Sequence, residues 1–519
     1  MEKVSRRLAL RLVALLAVAL VLRLFLFTGL GLGDDVFYIT QSLAIAEDGR
    51  WPPEPLHWNT RLGVILPTVA IVKTLGVHTV SFVLLPLIAS LANIVICFKI
   101  VDADFGEQVA WLAASLLAVY PLDIVYSTHL FPDVLVGLCS TVSIWFWIIA
   151  LRSGRTRDFV VSGTFLAVGY LCRETVVMDG PVYLALGLLE GRPRWARLPW
   201  FALGPLSVVL LEAALYAATA GSPFYRWGAI LSQQQDATNL DLIRGSTSGG
   251  GFWTDPILLL VSSHEFGLFY LISLLAAPVA AWRWSTSRPF AVWLIVGYLW
   301  TYYGTTVPST WVTLQRDARY AAALGVPSAA ILAIVLMKLP AVIRRPSLAF
   351  LVVTGVFAAT LDQGNAIIKP HRAFVSSSYA REAVLEPFEY VGARWAAGFS
   401  NTPSFACADD LGRASVVRLV PSLGGSDVRP ADSAQYLVIS PERRPDLLER
   451  ASRDGWTVVD HFRGSAPGGR ALVAEILTRF PAQRERAERM LNPPGLLVLS
   501  RSGSRRDKDN GLRSGGSSP

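Results

Sequence analysis

From Leu8 to Leu32 the chain is apolar, broken by charge only at Arg11 and Arg23. A helix needs about 20 apolar residues to cross a bilayer, and this run exceeds that. Lys3, Arg6 and Arg7 precede it, as they would in a cleaved secretion signal. The run is long for such a signal, however, and its end, Thr28-Gly29-Leu30-Gly31, lacks a small-x-small cleavage site. A retained membrane anchor is expected.

Further spans are expected at Val80–Ile100, Val109–Val125, Val134–Leu151, Phe159–Leu171, Val176–Leu189, Leu198–Ala220, Phe266–Ala281, Phe290–Tyr303, Tyr320–Met337 and Leu348–Leu361. With the first run they make about eleven. Leu62–Val77 is also apolar but carries Pro67 and Lys73, and reads as a helix lying at the interface, with a true span as the alternative. Composition agrees, since 52% of residues are hydrophobic and 17% charged, against about 25% charged in soluble domains.

Loop charges orient the spans. Short cytoplasmic loops collect Arg and Lys. Arg152, Arg155 and Arg157, then Arg192, Arg194 and Arg197, then Arg283 and Arg288, and last Lys338, Arg344 and Arg345 fall in alternate loops. Acids fill the others: Asp34, Asp35, Glu47, Asp48, Asp123, Asp133, Glu174, Asp255 and Glu265. The pattern places the N-terminus inside and the C-terminus outside, in a plasma membrane. The net charge of +8 then comes largely from topology signals, and no nucleic-acid motif accompanies it. Cys97, Cys139, Cys172 and Cys407 form neither a disulfide framework nor a metal-ligand spacing. No catalytic metal and no cofactor are expected.

From about Asp362 the apolar runs shorten. Gln435–Ile439 reads as a buried strand, and Ser440-Pro441-Glu442 as the start of a helix that ends near Arg453 at Gly455. Trp456–Asp460 and Ala471–Leu477 read as further strands. The expected organisation is an α-helical polytopic membrane domain over 1–365 with a long first outer loop at 33–78. A small extracytoplasmic α/β domain follows over 366–500, then a basic disordered tail over 501–519.

The first outer loop holds the most informative residues. Asp34 and Asp35 stand together where the first span ends, followed by Tyr38, Gly49-x-Trp51-Pro52-Pro53, His57, Trp58 and Arg61-x-Gly63. One aspartate before a helix is explained by capping. A cap needs only one side chain, and an adjacent second carboxylate raises the cost of ionising both.

This loop resembles that of the GT-C superfamily of glycosyltransferases, most nearly the protein O-mannosyltransferases and the transferases that add aminoarabinose to lipid A. Those carry an acidic pair here, commonly Asp-Glu, whereas the second acid in this chain is Asp35. Tyr120-Pro121 followed by Asp133, the basic Arg173 in Leu171-Cys172-Arg173-Glu174, and Arg319-Tyr320 with Pro327 beyond are similar to further family features in the same order. The resemblance implies a GT-C-like fold and transfer of a hexose or pentose from a polyprenyl-phosphate-linked donor to a lipid, glycan or protein acceptor. It makes Asp34 the candidate base, with Asp35 orienting the acceptor or Asp34 itself. Arg61, Arg173 and Arg319 become candidates for the lipid phosphate, with Tyr320, Asp133, His57 and Tyr38 around the substrate. Basic residues are scarce on the outer side, which favours such a role. The plainer alternative for each arginine is an anchor or an ion pair, for instance Arg173 with Glu174. For His57 and His129 a hydrogen-bonded structural histidine is the favoured reading, with substrate contact as the alternative. Glu212 lies inside a span and either borders the cavity or pairs with a neighbouring helix.

A different class, a multi-span transporter with an external accessory domain, would place polar residues at mid-membrane in two repeats. No repeat is evident, and the polar residues cluster at outer span ends.

Overall fold

The computed structural model describes residues 2–26, 34–47, 49–53, 55–77, 79–190, 197–234, 251–305 and 317–360, and, nearer the C-terminus, 388–391, 405–408, 414–419, 436–439, 445–462, 475, 478–479, 481, 484–491 and 496–501. The chain divides into two compact units. One comprises 1–27, 37–76 and 80–362, the other 28–36, 77–79 and 363–519.

The first unit is helical. Its elements are α1 (Glu2–Phe25), α2 (Asp34–Ala46, whose first residues fall in the second unit), α3 (Leu62–Leu75), α4 (Thr79–Phe105), α5 (Glu107–Ala118), α6 (Pro121–Tyr126), α7 (Asp133–Ser153), α8 (Thr156–Cys172), α9 (Gly180–Leu189), α10 (Leu198–Ala220), α11 (Tyr225–Gln234), α12 (Gly251–Ser262), α13 (Phe269–Arg283), α14 (Arg288–Tyr303), α15 (Gly325–Lys338) and α16 (Ala341–Thr360). Among the described residues, six helices are long and apolar enough to cross a membrane: Leu8–Phe25, Val80–Phe105, Asp133–Ser153, Leu198–Ala220, Ala318–Lys338 and Ala341–Ala359. The chain is a multi-pass membrane protein.

The other expected spans fall on shorter helices. Val109–Val125 breaks at Tyr120, whose extended backbone feeds Pro121 at the first position of α6. Proline cannot continue the preceding helix but opens a new one at no cost in hydrogen bonds. Val176–Leu189 is divided likewise, into a 3-10 segment over Glu174–Asp179 and then α9, with a proline near its start. Gly154 and Gly221, both left-handed, end α7 and α10.

Burial separates core from rim. In Asp133–Ser153 and Ala318–Lys338 72% of the residues are buried, against 11% in Leu8–Phe25 and 17% in Leu198–Ala220. The first two form the middle of the bundle, and the others present their apolar sides outward. α8 packs on both α7 and α10, while α15 packs on α5 and α13. Between α7 and α8 the hydroxyls of Ser143 and Ser162 donate to each other's carbonyls at 2.5 and 2.8 Å, and Tyr183 donates to Ser143 Oγ at 2.7 Å. Small polar residues thereby bring two apolar helices close.

The two charges in the first run have different fates. Arg11 is exposed, 3.7 Å from Glu107. Arg23 is fully buried. Its Nε donates to Ser90 Oγ at 2.7 Å, its Nη1 to the carbonyls of Ala19 and Ala118 at 3.0 and 3.1 Å, and its Nη2 to Asp123. Ser90 Oγ donates to the same carboxylate at 2.5 Å. A charge buried in an apolar bundle is tolerated only when so fully paired. The pair ties α1 to α4, α5 and α6.

The second unit contains a six-stranded sheet in the order β2-β3-β1-β4-β6-β5, with β1 (Phe388–Val391), β2 (Phe405–Ala408), β3 (Ala414–Leu419), β4 (Tyr436–Ile439), β5 (Trp456–Phe462) and β6 (Leu496–Arg501). β1 is parallel to β3 and β4; β2 pairs antiparallel with β3, and β6 with β4 and β5. α17 (Pro445–Arg453) and α18 (Arg484–Leu491) accompany it. Residues 440–444, where the helix start was expected, lie outside the described residues, and so does Ala471–Leu477 apart from Glu475. Gly455, at φ 81°, turns the chain from α17 into β5. β6 was not among the expected strands, although Asn492-Pro493-Pro494-Gly495 before it and Ser502-Gly503 after it are turn signals. Its Leu497, Val498 and Leu499 are buried.

Candidate active site

The site is built around the turn before α3. Residues 57–60 form that turn, with Thr60 Oγ1 donating to the His57 carbonyl at 2.9 Å. Trp58 stacks on Phe37 of α2 at 4.7 Å between ring centroids. Arg61 follows, 1% exposed, one residue ahead of α3. Gly63 makes its position possible. A Cβ at Gly63 would sit 2.7 Å from the Cys172 backbone nitrogen and 2.8 Å from the Leu171 carbonyl carbon. Only glycine lets the start of α3 lie against the end of α8, which brings Arg61 beside Glu174.

Arg61 donates from Nη1 to the Tyr38 hydroxyl and from Nη2 and Nε to Glu174, at 2.8 and 3.4 Å. Glu174 also meets Arg226 of α11, at 3.5 Å. Arg226 in turn donates to Glu212 Oε1 at 2.9 Å and to the Tyr170 carbonyl at 2.8 Å, and its guanidinium lies 4.4 Å from the Tyr170 ring centroid. Burial alone would push the Glu174 carboxyl up, but Arg61 and Arg226, with a smaller contribution from His57, hold it well below the usual carboxylate range. His57 packs its ring on Trp58, 3.6 Å between centroids.

A second group adjoins the first. Arg173, at the end of α8, donates to Asp133 Oδ1 at 2.5 Å and stacks 4.4 Å from the Tyr320 ring centroid. Arg319 pairs with Asp317 at 3.1 Å and lies 5.4 Å from the Phe131 ring centroid and 5.6 Å from that of Tyr320. Burial would lower the Arg173 pKa, yet Tyr320 and Asp133 raise it, with Arg61 and Arg319 opposing them. Arg173 and Arg319 thus share the Tyr320 ring, and Arg61 pairs with Glu174, the residue after Arg173, although the three arginines lie far apart in sequence. Each is under 10% exposed. The Arg173 Nε is buried and makes no hydrogen bond within the described residues.

Most of the expected site residues thus gather in one region: Tyr38, His57, Arg61, Asp133, Arg173, Arg319 and Tyr320. The anticipated Arg173–Glu174 pair does not form. Adjacent side chains at the end of a helix point apart, so Arg173 turns to Asp133 and Glu174 to Arg61. Asp35 is fully buried in the first turn of α2 and falls in the second unit. Asp34 opens the same helix, and its side chain lies outside the described residues. Arg226, Glu174 and Asp317 were not foreseen as site residues. Arg226 follows a span end, where an arginine reads as an interfacial anchor. Glu212, an acid inside a span, was the available signal for a buried cation partner. No group of three or more His, Cys, Asp or Glu side chains able to hold a metal ion occurs among the described residues.

Such a region can bind an anion that carries a bulky apolar tail. Several guanidiniums converge beside apolar helices, and bidentate charge-assisted bonds suit phosphate oxygens.

Residues 68–216 match the family profile described as dolichyl-phosphate-mannose-protein mannosyltransferase. No curated protein sequence matches the chain. The fold is similar to that of ArnT from Cupriavidus metallidurans bound to undecaprenyl phosphate, with a TM-score of 0.54 and 14% identity over 86% of this chain and 96% of that one. ArnT in the apo state gives 0.53 and 15% identity, over 86% and 95%. The Archaeoglobus fulgidus oligosaccharyltransferase in complex with Zn and sulfate gives 0.49 and 14% identity, over 83% and 68%. The chain resembles GT-C superfamily glycosyltransferases in sequence profile and in fold.

Proposed function

We propose that this chain is a glycosyltransferase that moves a sugar from a polyprenyl-phosphate-linked donor to an acceptor hydroxyl at the extracytoplasmic face of the membrane. The observation that carries the proposal is the placement of Arg173 and Arg319 against one tyrosine ring, with Arg61 paired to the residue after Arg173, in a bundle whose fold is similar to that of a protein crystallised with undecaprenyl phosphate.

The chemistry assigns the roles. The acceptor oxygen attacks the anomeric carbon as the bond from that carbon to the phosphate oxygen breaks. The electron pair stays on the phosphate, which leaves as a polyprenyl monophosphate with an added negative charge. Guanidiniums fixed in a water-poor site stabilise that charge as it develops. Arg61 and Arg173 fill this role, and Arg319 braces the Tyr320 ring on which Arg173 also stacks. The acceptor proton passes to a carboxylate of the first loop. The resemblance to GT-C enzymes makes Asp34 the base, with Asp35 holding the acceptor or Asp34 in place. Tyr38, one helical turn beyond Asp35, links this helix to Arg61. The isoprenoid tail lies among the apolar helices.

The test is release of undecaprenyl phosphate from a panel of undecaprenyl-phosphate hexoses and pentoses by the purified chain in nanodiscs. Release that depends on an added acceptor supports the proposal. Failure to turn over or bind any member of the panel overturns it.

A further inference from the structure

Among the described residues, each buried guanidinium of the site has a carboxylate partner: Arg61 has Glu174, Arg173 has Asp133, Arg226 has Glu212 and Arg319 has Asp317. Counted over these described pairs, the cluster is close to charge-balanced. A phosphate entering it adds negative charge to a poorly solvated region, and one of the carboxylates has to yield.

The four carboxylates differ in what holds them. Asp133 and Glu212 are side-chain buried, 3% and 6% exposed. Asp317 also accepts the Arg319 backbone N–H at 3.1 Å, which fixes it as the cap of its 3-10 turn. Glu174 has no such anchor, and its side chain keeps 23% exposure. It alone of the four bridges two of these guanidiniums, with Oε1 on Arg61 at 2.8 Å and Oε2 3.5 Å from Arg226. It can therefore leave Arg61 and remain charged and paired on Arg226.

We infer that Glu174 is a built-in stand-in for the donor phosphate, occupying Arg61 in the empty site and withdrawing to Arg226 when the lipid phosphate binds. Arg226 is then a positioning residue that never touches the donor, and it serves as the place where the displaced carboxylate is held. The inference rests on the proposed role of Arg61 as a phosphate ligand. The stand-in keeps Arg61 extended and ordered in the empty protein. It also sets a threshold that a weakly held anion does not meet.

Titration with undecaprenyl phosphate of the full-length purified chain in nanodiscs tests this. Binding is compared in the wild type, Glu174→Gln, Arg226→Gln, the Glu174→Gln/Arg226→Gln double variant and Arg61→Gln, each checked for folding by thermal melting. Glu174→Gln removes the competing charge and is expected to tighten binding by about 5- to 150-fold, the usual range for coupling between sites. Arg226→Gln strands Glu174 on Arg61 and weakens binding in the wild-type background but not in Glu174→Gln. Weaker or unchanged binding in folded Glu174→Gln overturns the inference, as does an equal loss from Arg226→Gln in both backgrounds. If Arg61→Gln leaves binding intact, the proposed phosphate site fails. If Arg61→Gln abolishes binding while Glu174→Gln does not tighten it, the stand-in alone fails.

Discussion

Arg61 and Glu174, separated by over a hundred positions in the chain, meet in a two-point pair at 2.8 and 3.4 Å. The pair joins the turn before α3 to the end of α8. Arg61 also donates to the Tyr38 hydroxyl, so the same guanidinium serves two partners.

Arg61→Gln is expected to weaken undecaprenyl phosphate binding by roughly 10- to 150-fold. A hydrogen bond to a charged group contributes about 1.5–3 kcal/mol, and 1.4 kcal/mol is tenfold in affinity. Arg61→Lys recovers little of this, since an ammonium cannot hold Tyr38 and grip a phosphate through two parallel bonds at once. Equilibrium titration reads both.

Asp133→Asn leaves the buried Arg173 guanidinium without its counterion. Removing one partner of a buried pair costs about 3–5 kcal/mol. The melting temperature falls sharply and the Arg173–Tyr320 stack loosens. Asp133→Asn melting like the wild type would show that the pair is not what holds Arg173.

Gly63→Ala pushes a methyl group into the backbone at Leu171 and Cys172, which cannot swing aside. Overpacking of this kind costs about 1–3 kcal/mol. Because the strain separates α3 from α8, donor binding falls more than stability does. Parallel melting and titration experiments separate the two effects.

Glu174 carries a pH signature. Its folded carboxyl is held below the usual range by Arg61 and Arg226 acting against burial. A depressed carboxylate stabilises the fold above its unfolded pKa, about 4.3 for Glu, and that stabilisation is lost as pH falls toward the folded value. The stability gap between wild type and Glu174→Gln is therefore flat from about pH 6 to pH 8 and narrows only on the acid side of about pH 4. Melting curves across that range measure it.

The sequence made some of this legible and not the rest. The long apolar runs and their arginine-rich loops marked a membrane protein directly, because lipid tolerates few alternatives. The breaks at Pro121 and at Gly180-Pro181 were visible as residues, but hydropathy averages across them. In the site, Arg61, Arg173 and Arg319 stood out as cations where acids prevail, which is why they could be named. Their partners could not be assigned. Arg173 has an acid beside it in the chain, and helix geometry sends it to Asp133 instead. Arg226 looked like an ordinary residue after a span, and only packing brings it between Glu212 and Glu174. Strand β6 was readable from Asn492-Pro493-Pro494-Gly495 ahead of its apolar run, but a short run does not say which sheet it completes.

Sugar transfer by the purified wild type from undecaprenyl-phosphate sugars, beside Asp34→Asn and Asp35→Asn, bears most directly on the central claim. Loss of a general base lowers the rate by about 10²–10⁴-fold. Transfer by the wild type is expected, with a loss of that size in at least one variant and undecaprenyl phosphate binding retained. Full rates in both variants, or a wild type that neither transfers sugar nor binds undecaprenyl phosphate, would contradict it.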